Sequence, residues 1–72
     1  MKRTYLVSLA DRDTGKDQTI LVRSDNPDGM QAFVERPDLD PPLTISNPVV
    51  ISIKELNIKR PLPRTNLSSF TA

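Results

Sequence analysis

The chain has 72 residues, no cysteine and no histidine, and ten Lys and Arg against nine Asp and Glu for a net charge of +1. At this length folding buries only ~60% of the surface that the unfolded chain exposes, so the core is thin. Disulfides are excluded and most metal sites with them, which leaves self-association or a partner as the remaining source of added stability.

Residues 4–10 alternate, with Tyr5, Val7 and Leu9 on one face and Thr4, Leu6, Ser8 and Ala10 on the other. This period of two predicts a half-buried strand. Residues 19–23 repeat the pattern with Ile20 and Val22 on one face and Leu21 on the other, and their β-branched content favours extended structure. Between them, residues 11–17 are dense in turn formers, and Gly15 is free to take the positive φ of a longer hairpin loop. A hairpin is the expectation.

Asn26 and Pro27 read as a helix start, since Asn caps orphan N–H groups and Pro at the first helical position gives up nothing. Asp28 adds favourable charge there. Met30, Phe33 and Val34 fall on one face, and Pro37 forces the preceding residue out of the helix. Gly29 inside so short a helix costs ~1 kcal/mol relative to Ala, so packing of Phe33 on the sheet must hold it. Residues 38–48 contain Pro41, Pro42 and Pro48 and read as an ordered crossing loop with Leu43 and Ile45 dipping into the core. Residues 49–58 form the third strand. Its inward set starts as Val49, Ile51 and Ile53 and resumes at Leu56 and Ile58, a phase slip that a β-bulge at Lys54 and Glu55 would explain.

Residues 1–58 carry seven Lys and Arg against nine Asp and Glu, whereas residues 59–72 carry Lys59, Arg60 and Arg64 without an acid. The reading is a mildly acidic domain over 1–58 and a basic, flexible, proline-containing tail over 59–72. The fold class is α+β, of order β-β-α-β: a three-stranded antiparallel sheet, strand 1 central, with one short helix packed on one face.

The motifs that suggest chemistry all sit in the hairpin loop. Asp13-Thr14-Gly15 spells the aspartic-protease tripeptide, but it is flanked by Arg12 and Lys16 where that chemistry needs a hydrophobic setting. Asp11, Asp13, Gly15 and Asp17 resemble the start of a calcium loop, yet the fifth and sixth positions are Gly15 and Lys16 and the twelfth is Val22, not Glu. Gly15-Lys16 lacks the first glycine of a phosphate loop, and Asp17 replaces its Ser or Thr. No nucleophile has an adjacent base. The expectation is no enzyme, no catalytic residue, no metal site and no cofactor.

What remains is binding. Leu6 and Leu21 point away from the helix-covered face, and Val50 is expected to join them as a docking or dimer patch. An open strand edge would add unpaired N–H and C=O groups. Lys59, Arg60 and Arg64 frame a polyproline-like stretch, without the Pro-x-x-Pro spacing of an SH3 ligand, that suits a protein partner or phosphates of nucleic acid. The longest apolar run, residues 49–53, is far short of the ~18 residues of a membrane span. The expectation is therefore a soluble, cytoplasmic protein, in keeping with the absence of cysteine.

The length, the Met-Lys-Arg-Thr-Tyr-Leu-Val start, the hairpin and the short helix over residues 1–58 resemble the small accessory proteins encoded by bacteriophages and prophages. That resemblance implies a protein that binds and blocks or redirects a host macromolecule without turnover. It assigns no functional residue.

Overall fold

The computed structural model describes residues 2–40, 42–56 and 67–71. β1 (Arg3–Asp11) and β2 (Asp17–Ser24) form the hairpin, a 3₁₀ turn (Pro27–Gly29) runs into the helix α1 (Met30–Val34), and β3 (Pro48–Leu56) and β4 (Ser69–Thr71) follow. The sheet order is β3-β1-β2-β4. β1 pairs antiparallel with β2 and β3, and β2 pairs parallel with β4. The α+β class and the placing of strand 1 between strands 2 and 3 agree with the sequence reading. The three-stranded antiparallel sheet does not: the sheet is mixed and four-stranded, and its fourth strand comes from the stretch read as a tail.

β4 escapes sequence reading because three residues are too few to display an alternation. Packing holds it instead. Phe70 pairs with Val22 across the ladder, is 8% exposed and sets its ring edge-on against Phe33 at 6.1 Å and 75°, a favoured aromatic geometry. The Leu21 N–H donates to the Ser68 carbonyl at 2.9 Å and starts the parallel ladder. The polyproline stretch over 59–64, with Lys59, Arg60 and Arg64, lies outside the described residues, as does the domain boundary expected at 58.

The core is the helix-facing side of the hairpin plus what closes on it. Tyr5, Val7 and Leu9 of β1 and Ile20 and Val22 of β2 meet Met30, Phe33 and Val34, with Ile45 from the crossing loop and Phe70 from β4. Leu43 packs partly buried against them, so the loop dips inward where the sequence places it. The helix is shorter than its apolar spacing suggests. Asn26 caps it as read, its side chain accepting from the Asp28 N–H at 3.1 Å. The first turn is 3₁₀, and α-helical geometry begins only after Gly29.

Asp11 ties the hairpin tip to the crossing loop. One carboxylate oxygen accepts from the Asp13 N–H at 2.8 Å and the Thr14 N–H at 3.3 Å, and the other from the Ser46 N–H at 3.2 Å. Gly15 takes φ +74°, and its N–H donates to the Asp11 carbonyl at 3.0 Å while the Asp11 N–H donates to the Lys16 carbonyl at 2.7 Å. Beside this, Gln18 Oε1 accepts from both the N–H and the hydroxyl of Thr44 at 3.0 Å. The Asp13 N–H does most to hold the Asp11 carboxyl below its ordinary 3.8; burial pushes the other way, and the Ser46 and Thr14 bonds add to the lowering.

A carboxyl with a depressed folded value contributes stability that is complete above its unfolded value and lost as pH falls through the folded one. Urea midpoints of the wild type and Asp11→Asn should therefore differ at pH 7, with the variant lower, and converge as pH falls through and below the ordinary carboxylate range. A gap that persists undiminished into acid would mean that Asp11 acts through shape alone. Phe70→Ala should cost about 3 kcal/mol in the same measurement, the loss appropriate to a core aromatic; a residue in a solvated tail would cost almost nothing.

Candidate functional site

The outer strands of the sheet are β3 and β4. β4 is short, and its central residue is buried. β3 is long, and from Ile51 to Glu55 every residue is exposed. Ile51 at 62% and Ile53 at 39% are the exposed large hydrophobic residues among those described.

A bulge produces this exposure. Ser8 pairs with Ser52, but Leu9 pairs with Val50, so Ile51 is the extra residue on β3. The slip thus falls before Ser52 and not at Lys54 and Glu55, where the apolar spacing alone puts it. Beyond the bulge Ile53 pairs with Val7 and Glu55 with Tyr5, on the helix-facing side of the sheet. That side of β3 is open here, because α1 reaches only the start of the strand. The inward set read from sequence is corrected accordingly: Val50 packs against the core, Val49 pairs with Ala10 on the other face, and Ile51 and Ile53 face solvent. Ile58 lies outside the described residues.

Gln31 holds the covered part of the edge. Its side-chain N–H donates to the Pro48 carbonyl at 3.1 Å and to Glu35 at 3.0 Å, while its Oε1 accepts from the Val50 N–H at 2.8 Å. The amide thereby imitates one peptide unit of a neighbouring strand. Among the described residues no other side chain bonds to the β3 backbone, so residues 52–56 carry the unpaired outer N–H and C=O groups of an edge strand. Lys54 and Glu55 supply its charge. Glu55 accepts from Arg3 at 3.1 Å; Lys54, beside Leu6 in the ladder, makes no ion pair among the described residues.

The patch read from sequence is only half assembled. Leu6 and Leu21 are direct cross-strand partners, but Leu6 is half-buried and Leu21 is 5% exposed. Val50 pairs with Leu9 on the opposite face, because the bulge turns it inward. Sequence reasoning missed Ile51, Ile53 and Gln31. Lys54 and Glu55 inside a β-branched run were the available signal that this strand is not covered; nothing marked Gln31.

At the hairpin, Asp13 and Asp17 are exposed, and the Asp11 oxygens are taken by backbone N–H groups. Among the described residues no three His, Cys, Asp or Glu side chains gather to hold a metal, and no helix is long and apolar enough to cross a membrane. No protein family, curated protein or solved structure matches the chain.

Gln31→Ala should release the start of β3. The Val50 amide, which donates to Gln31, should then exchange with solvent at least tenfold faster, a change of about 1.4 kcal/mol in local opening, while the amides of the β1 and β2 hairpin keep their rates. Unchanged exchange at Val50 would remove Gln31 from the edge.

Proposed function

We propose that the protein is a non-enzymatic accessory module that binds a partner protein and modulates it, taking up an extended segment of that partner as an added strand along β3. The observation that carries this reading is the open run of β3: a β-branched edge with Ile51 and Ile53 exposed and, among the described residues, no side chain bonded to its outer peptide groups beyond the Gln31 contact. Strand addition uses those peptide groups for affinity and the alternate side chains for specificity. A phage-type regulator or inhibitor of a host protein is the setting that this mode suits.

A long apolar edge is otherwise a liability, because it templates pairing with other chains. Leaving a Val, Leu or Ile side chain in water forgoes ~1.5–3 kcal/mol relative to burying it. A thin core has little to spare for that, and docking recovers it. The alternative, a nucleic-acid-binding regulator working through Lys59, Arg60 and Arg64, gains nothing from the described residues: Tyr5, Phe33 and Phe70 are all buried in the core and provide no stacking platform.

The test compares wild type with Ile51→Lys/Ile53→Lys in affinity capture read by mass spectrometry, followed by hydrogen exchange on the recovered complex. Ile51→Lys alone should leave stability within ~0.5 kcal/mol, as an exposed position does. The double variant should lose the captured protein, and residues 52–56 should become protected in the wild-type complex. Equal capture by both, or protection confined to another surface, rules the reading out.

A further inference from the structure

We infer that the strand accepted by β3 is a heterologous, acidic one: an extended segment of another protein with a carboxylate opposite Lys54 and an apolar residue opposite Ile53, and not a second copy of this chain. This rests on the strand-addition reading and specifies its partner.

The charges on β3 are unequal in what they still need. Glu55 is matched by Arg3 at 3.1 Å. Lys54 is exposed and has as its cross-strand neighbour on β1 Leu6, an apolar side chain that offers its ammonium no partner. A residue added opposite Lys54 sits ~5 Å away, within the distance at which cross-strand charges attract or repel. A carboxylate is favoured there and a cation is rejected. On the helix-facing side the next position of the added strand meets Ile53, where an apolar side chain regains buried area. The recognised pattern is therefore apolar and acidic in alternation.

A second copy does not supply this pattern. Two β3 strands paired across a two-fold axis run antiparallel, with the axis perpendicular to the sheet, so each residue meets one on its own face. Beyond the bulge Ser52, Lys54 and Leu56 share one face, and Ile53 and Glu55 share the other, as their partners on β1 show. Lys54 can then meet Ser52, Leu56 or the other Lys54, and in no register Glu55. Centring the axis on Lys54 sets like charges together and puts Glu55 against Ile53; centring it on Ile53 leaves Lys54 on Ser52. Extending the pairing past Ser52 runs into the bulge and into the Gln31 contact with Pro48 and Val50.

Three short synthetic peptides test this, each alternating valine and threonine and differing only in a central glutamate, glutamine or lysine. They are titrated into the isotope-labelled full chain while its amide shifts and sedimentation are followed. The glutamate peptide should perturb residues 52–56 and bind about three- to tenfold more tightly than the lysine peptide, with glutamine between. Lys54→Glu should invert that ranking, and Lys54→Gln should flatten it. Binding at β3 with the same affinity for all three peptides, unaltered by Lys54→Glu, overturns the acidic partner and leaves strand addition standing. Failure of every peptide to perturb β3 overturns both. A dimer in sedimentation with protected 52–56 amides assigns the edge to a second copy and overturns the inference in that way.

Discussion

The register of β3 against β1 is the constraint on which the rest of the molecule depends. The two strands are distant in sequence, and their pairing is non-local, so the ladder between β1 and β2 does not fix it. Three contacts do so at one end. Asp11 takes the Ser46 N–H, the Arg12 N–H donates to the Asn47 carbonyl at 3.1 Å, and Gln31 grips Pro48 and Val50. Hairpin and helix thus both hold the chain over residues 46–50, where it enters β3, with Val50 paired to Leu9 and packed against the core. Once that end is pinned, the extra residue has to be taken up immediately after it, and Ile51 takes it up. Asp11 is well suited to this position because its acceptor oxygens serve the tip and the loop together, each N–H bond favouring the ionised form.

Legibility in the sequence follows the range of the forces involved. The hairpin was readable because alternation, turn residues and a single positive φ at Gly15 are local properties. The cap at Asn26 was readable for the same reason. The faces of β1 and β2 followed from the period of two, and Tyr5, Val7, Leu9, Ile20 and Val22 are all in the core. β3 was readable as a strand but not in phase: within Val49, Val50 and Ile51 three β-branched residues succeed one another, and periodicity cannot say which is the doubled one. Its phase is decided by Gln31 and Asp11, residues far away in the chain. β4 was not readable at all, because its only local signal is one phenylalanine, and its reason for being a strand is Phe33.

The candidate site shares that history. Leu6 and Leu21 were placed on one face by alternation and are neighbours there; what alternation cannot report is how much of each remains in contact with water. Ile51 and Ile53 looked like core because isoleucine in a strand usually is. Their exposure arises from the geometry of the bulge and from a helix that ends after five residues, too short to cover the whole of the outermost strand. The length of the helix is in turn set by Gly29 before it and by the segment around Pro37 after it. A local feature of one element therefore determines the exposure of another, at a distance that no window over the sequence spans.

The two edges of the sheet are managed in different ways, and the difference bears on function. β4 is protected by being short. β3 carries three of the devices that discourage indiscriminate pairing: a bulge, a lysine and a side-chain amide occupying part of its ladder. Among the described residues none of them occupies the outer side of residues 52–56. In the strand-addition reading proposed above, each would narrow what can pair there: the bulge would limit the length of an added strand, Gln31 would fix where it stops, and Lys54 would set the charge it carries. On that reading the features that protect the sheet from its own copies and those that select a foreign strand are the same residues, because both act by making most registers unfavourable.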